Sequence, residues 1–119
     1  FESALHHLED AMAIEKPDLI QKAGMIQFFE MCYELAWNWL KDYLHEQGFT
    51  DINSPRAALK KGFETGVIAD GHRWMELVND RNLTAHTYDE EKANEVEALI
   101  HQKYYPLLKE FYDNFKQKR

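Results

Sequence analysis

One cysteine, three prolines and five glycines in 119 residues set the first limits. The lone Cys32 excludes a disulfide within the chain and fits a reducing cytosol. Lying inside an apolar run, it reads as a small buried hydrophobe. So few prolines and glycines leave little room for the turns of a β architecture. No stretch approaches the ~20 apolar residues of a membrane span, and no signal peptide is visible. A cytoplasmic place, away from membrane, is therefore expected. The first residue is Phe1 rather than Met, so the true N-terminus is expected to be missing. Metal-ligand sets are absent too. His6-His7 is a bare pair with no cluster around it, so neither a metal nor another cofactor is expected.

Positive charge is also scarce. Lys and Arg number 14 against 21 Asp and Glu, a net charge of −7. That balance argues against a protein that coats nucleic acid through bulk charge, although it leaves room for a local site. The charge is uneven. Residues 54–73 carry Arg56, Lys60, Lys61 and Arg73 against Glu64 and Asp70, a local net of +2 that leaves −9 for the rest.

Long periodic segments fill the space that turns do not. They predict an all-α protein, an antiparallel up-and-down bundle of four to five helices forming one domain over 1–119. A domain of this size buries roughly two-thirds of the surface its unfolded chain exposes. Phe1, Leu5, Leu8 and Met12 make one helical stripe, and Pro17 marks its break. Asp18 to Gln47 reads as one long helix stopped by Gly48. Its polar residues Gln27, Glu30, Glu34, Asn38, Lys41 and His45 fall on one narrow stripe, and nearly everything else is apolar. A surface helix needs one apolar face, whereas this one wants burial on most sides. A partner subunit, hence a homodimer, is the expectation; a central helix in a monomer is the alternative.

Ser54-Pro55 starts a short helix that ends near Gly66. Asp70 caps the next one, where Trp74, Leu77, Val78, Arg81 and Ala85 share a face. Arg81 is therefore expected on the buried side. Thr87-Tyr88-Asp89-Glu90 has the form of a capping box with Thr87 at the N-cap. The last helix then runs through Val96, Ile100, Tyr104, Leu107, Phe111 and Phe115, with Pro106 expected to kink or split it.

The stretch "RNLTAHTY", residues 81–88, is the polar exception. In a straight helix Arg81 and His86 diverge by about 140°, but a break before the capping box would bring both to one cleft. The chemistry suits a phosphodiester. Arginine keeps its charge and forks onto phosphate oxygens, and histidine takes and returns a proton near neutrality. Together they would assist attack of an RNA 2′-hydroxyl on its own phosphate. The plain alternative is a helix terminus with Arg81 paired to an acid such as Glu34.

"RNLTAHTY" resembles the Arg-x4-His-x-Tyr motif of HEPN-domain proteins, in the HepT-like toxin branch also called nucleotidyltransferase substrate-binding proteins. "QFFEMCYELAWNWLKDYL" (27–44) resembles that branch's long second helix. "SPRAALKKGFETGVI" and "DGHRWMELVNDRN" resemble the segment leading into the motif. The resemblance implies a helical homodimer with the motif facing an interface cleft. It also implies a cognate minimal nucleotidyltransferase as antitoxin, and metal-independent cleavage of RNA silenced by adenylylation of the motif tyrosine. Carried over, Arg81 and His86 are the catalytic pair, Asn82 supports them, and Tyr88 is the modified residue. Independently of the resemblance, the local positive charge of residues 54–73 is expected to help hold the polyanion, with Lys60 and Lys61 acting through charge alone. A non-catalytic subunit that presents substrate to the nucleotidyltransferase is the competing reading, and a plain scaffold bundle is a third.

Overall fold

The computed structural model describes residues 1–86 and 89–116, without the side chains of Asn82 and His86. The described residues are mostly helical, with no strand among them. The elements are α1 (Glu2–Met12), α2 (Leu19–Glu46), α3 (Pro55–Glu64), α4 (Gly71–Asp80), a 3-10 turn (Arg81–His86), α5 (Glu90–Leu99), a π turn (Ile100–Tyr104) and α6 (Tyr105–Phe115). Since α5, the π turn and α6 run on without interruption, the described residues form a bundle of five helical rods.

α2 is its axis. Asp18 caps it through a reciprocal box: the Gln21 amide donates to Asp18 Oδ1 at 2.8 Å, and the Asp18 amide donates to Gln21 Oε1 at 2.9 Å. Gly48, at φ +100°, ends it with a conformation that a side chain disfavours. α1, α3, α5 and α6 all pack against α2. This burial is what the crowded apolar content of α2 calls for. Phe29, Cys32, Ala36, Leu40 and Leu44 are sealed completely. Cys32 is a core residue, and its burial pushes the thiol up to about 12. Gly62 lets α3 approach closely, since a Cβ there would lie 3.2 Å from a Leu40 methyl.

The bundle does not cover α2 all round. Met31 and Leu35, one turn apart, keep 41% and 43% of their surface in solvent. α1 is buried through Ala4, Leu5, Leu8 and Ala11, while Phe1 and Met12 pack partly against the core. No helix among the described residues is long and apolar enough to cross a membrane.

Two local expectations are corrected, and a third is met. Asp89, not Thr87, caps α5: its carboxylate accepts from the amides of Glu91 and Lys92 at 3.0 and 3.4 Å. Aspartate is at least as good a cap as threonine, and it sits next to the acidic first turn that the helix dipole favours. Thr87 itself lies outside the described residues. Pro106 lies where the regular winding of the last helix is divided, as expected: α5 gives way to the π turn and then to α6. Pro106 occupies the first turn of α6, and the π turn just before it widens the backbone where a proline ring would otherwise meet the preceding carbonyls. Finally, α4 ends at Asp80, a residue before Arg81, so Arg81 is exposed rather than buried.

Candidate active site

The polar stretch begins where α4 stops. Ser54 and Asp70 start the two helices that lead to it. The Ser54 hydroxyl accepts from the Ala57 amide at 3.1 Å, and the Asp70 carboxylate from the Arg73 amide at 3.1 Å. Trp74 and Leu77 then bury one face of α4. At its end two contacts hold the change from α to 3-10 winding. The Thr84 hydroxyl, itself buried, donates to the Arg81 carbonyl at 2.7 Å. The Tyr104 hydroxyl, delivered by the π turn, donates to Asp80 Oδ2 at 2.8 Å. Tyr104 is 3% exposed and stacks on Phe29 at 5.1 Å, so it is a rigid donor. Burial, together with that hydrogen bond to Asp80, pushes its phenol well above the usual tyrosine value.

The tighter winding swings Arg81 out of the α4 core face and over α2. Its Nη2 lies 2.9 Å from Glu34 Oε1, and its guanidinium sits 5.2 Å from the centre of the Tyr33 ring. The other Glu34 oxygen accepts from Trp37 Nε1 at 2.8 Å. Glu34 is thus fixed from its own helix and aimed at Arg81. The pairing of Arg81 with Glu34, the plain alternative from the sequence, is present. It does not close the site. Both side chains keep more than 40% of their surface in water, and a pair so exposed is worth only ~0–1 kcal/mol. Arginine has five N–H donors, so most remain open to an incoming anion.

Tyr33 beneath this pair is buried, and that burial raises its phenol. Arg81 opposes the shift, Glu34 adds to it, and Arg56 opposes it. Arg56 belongs to this neighbourhood as well. Its Nη2 donates to Asn79 Oδ1 at 2.8 Å, two residues before Arg81.

The other residues singled out in the sequence are distributed unevenly. Asn82 and His86 share the 3-10 turn with Arg81, but their side chains lie outside the described residues. Tyr88 lies outside them entirely. Lys60 and Lys61 stand on α3. Lys61 pairs with Glu64 at 3.2 Å and lies over Phe49, while Lys60 is exposed. Trp37 and Tyr104 were not expected from the sequence as site residues, and Arg56 was expected only as part of the basic segment 54–73. The i, i+3 spacing of Glu34 and Trp37 on one helix was the available signal for Trp37. The contacts of Arg56 and Tyr104 with α4 are long-range and left no local sign.

Elsewhere, a half-open groove of about 760 Å³ is lined by residues of α1, Trp39 and the end of α6. It shares no residue with the Arg81 cluster. His7 in its lining stacks on Phe28 with ring centres 5.3 Å apart. No group of three or more histidine, cysteine or carboxylate side chains that could hold a metal ion occurs among the described residues.

Residues 1–117 match the family described as nucleotidyltransferase substrate binding protein like. A protein of Haemophilus influenzae described as probable ribonuclease HepT is 36% identical over 98 residues, taking in 71% of this chain and 63% of that protein. The chain therefore spans somewhat under two-thirds of that relative's length. A crystal structure of a protein from Thermus thermophilus superposes with a TM-score of 0.84 at 27% identity, covering 97% of this chain and 98% of the other. With the helical bundle and the Arg81 motif in place, these matches identify the chain: it belongs to the nucleotidyltransferase substrate-binding-like family, the HepT-like branch of the HEPN proteins.

Proposed function

We propose that the chain is the toxin of a HEPN/minimal-nucleotidyltransferase toxin–antitoxin pair, a metal-independent endoribonuclease acting in the cytoplasm as a homodimer. The observation that carries this reading is Arg81. It is aimed by Glu34 from 2.9 Å yet remains largely open to water, at the head of an Arg-x4-His-x-Tyr motif. The probable ribonuclease activity of the HepT relative supports it.

In the reaction, Arg81 exchanges Glu34 for the scissile phosphate and neutralises the charge that builds there. His86 takes the proton of the neighbouring 2′-hydroxyl as its oxygen bonds to phosphorus. A proton returns to the 5′ oxygen as the phosphorus–O5′ bond breaks. The products are a 2′,3′-cyclic phosphate and a 5′-hydroxyl. Asn82 helps orient the site, and Lys60 and Lys61 raise the local density of the polyanion. The partner nucleotidyltransferase silences the enzyme by adenylylating Tyr88, two residues from His86. The exposed pair Met31 and Leu35 on α2 supports the second copy.

The competing reading, a non-catalytic subunit that presents substrate to the nucleotidyltransferase, has its own support. Glu34 offsets the charge of Arg81, and the chain's net charge of −7 disfavours a free ribonuclease. Paired oligonucleotides separate the two: one all ribose, the other with 2′-deoxyribose throughout, each incubated with unmodified protein and a chelator. Cleavage of the first alone supports the ribonuclease. Cleavage of neither, by protein that still binds the nucleotidyltransferase, leaves the binding subunit.

A further inference from the structure

Arg56 differs from the other arginines in what holds it. Among the described arginines, Arg73 faces Asp70 at 3.7 Å and Arg81 faces Glu34 at 2.9 Å. Arg56 has no carboxylate within salt-bridge distance among the described residues. It is held instead by a neutral amide, Asn79 Oδ1 at 2.8 Å, with Nη1 3.9 Å from Met75 Sδ. An amide aims a guanidinium without cancelling its charge, which a carboxylate would do. Asn79 ties Arg56 to the end of α4, at the border of the candidate site. Asn79 is in the last turn of α4, two residues from Arg81, and Arg56 and Arg81 both act on the Tyr33 phenol.

The charge balance then assigns different parts to the two arginines. Arg81 and Glu34 together carry no net charge, so Arg56 brings a positive charge that this pair does not supply. Lys60 lies one helical turn further along α3 from Arg56, on the same side.

We propose that Arg56, positioned by Asn79, is the second cation of an RNA phosphate clamp: it binds the phosphate next to the one Arg81 holds. This rests on the ribonuclease reading for its substrate and deepens it. Arg56 sets how tightly RNA is held, while Arg81 and His86 set how fast it is cut.

The test has a binding arm and a cleavage arm, both with unmodified protein. In the first, anisotropy of a labelled 2′-O-methyl oligonucleotide, which lacks the nucleophile and stays intact, is measured against salt. Arg56→Gln is expected to weaken binding about tenfold, the scale of a lost charged hydrogen bond, and to lower the salt slope by about one. Arg56→Lys retains part of the affinity, and Asn79→Ala, which keeps the charge but loses its aim, loses part of it. Lys109→Gln removes the same charge from α6 and should change little. In the cleavage arm Arg56→Gln raises KM and leaves kcat nearly unchanged. The clamp is overturned if Arg56→Gln binds like the Lys109→Gln control, if its loss appears in kcat alone, or if wild type binds no oligonucleotide. Wild type that binds but does not cleave refutes the ribonuclease reading by itself, and the binding arm still decides the role of Arg56.

Discussion

Arg81 Nη2 and Glu34 Oε1 lie 2.9 Å apart across 47 residues of sequence, and the pair joins the polar turn after α4 to the central helix. An arginine locked in a buried pair would be a structural element. One in a half-exposed pair holds its position at little cost and can exchange its partner for a phosphate. Glu34→Gln keeps an acceptor for Trp37 but removes the competing charge. The expected result is RNA binding tighter by about threefold to tenfold, with a stability change below ~1 kcal/mol. Oligonucleotide anisotropy and thermal melting measure the two quantities.

Tyr104 and Asp80 fasten the same turn from behind. Tyr104→Phe removes a buried hydrogen bond to a carboxylate and is expected to cost about 1.5–3 kcal/mol, read by denaturant unfolding. The pH dependence follows from the raised phenols. Tyr104 is raised by burial and by its bond to Asp80. Tyr105 is pushed up to about 12 by burial and by its hydrogen bond to Glu9. A raised folded-state pKa favours the neutral form. Its contribution is complete below ~10, the ordinary tyrosine value, and is lost as pH rises through the folded value. Stability should be flat in this respect from neutral pH to about 10 and fall beyond it, less steeply in the Tyr104→Phe variant.

Met31 and Leu35 expose adjacent apolar surface on a helix whose other faces are packed. In the proposed homodimer they belong to the interface. Wild type should scatter light as twice 14.1 kDa, and Met31→Glu with Leu35→Glu should scatter as one chain with helical content preserved. A wild-type monomer at micromolar concentration would remove the shared cleft.

Tyr88 is the proposed switch. A phenol with a pKa near 10 is a poor nucleophile at neutral pH, so the nucleotidyltransferase has to activate it. The added phosphate would occupy Arg81 and repel RNA. After incubation with the cognate nucleotidyltransferase, ATP and magnesium, mass spectrometry should find an adenylyl group on the peptide containing Tyr88, and none in Tyr88→Phe. An unmodified Tyr88 in a mixture that modifies another substrate rejects the switch.

How much of this was legible in the sequence depended on distance along the chain. The ends of α2 were legible because Asp18, Gln21 and Gly48 act within a few residues. The starts of α3 and α4 at Ser54 and Asp70 were legible for the same reason. The cap of α5 was misplaced because Thr87 and Asp89 are both good caps two residues apart, and local chemistry ranks them closely. Arg81 was expected on a buried face because apolar spacing continues through it. The winding changes to 3-10 at Arg81 instead, next to a contact on Asp80 from Tyr104, 24 residues away. The same π turn that delivers Tyr104 also accommodates Pro106, so neither residue's role can be read without the other. Glu34 was named as a partner for Arg81. Its fixing by Trp37 was not, and neither was the amide-held Arg56.

The ribonuclease assignment is tested most directly by cleavage of a defined RNA with chelator present, comparing unmodified wild type, Arg81→Ala and His86→Ala, with product ends identified. Wild type should yield 2′,3′-cyclic phosphate and 5′-hydroxyl ends. Each variant, folded by circular dichroism, should lose about 10²-fold or more of the rate. Wild type without activity, or variants that cleave as wild type does, would contradict the assignment of Arg81 and His86 as a catalytic pair.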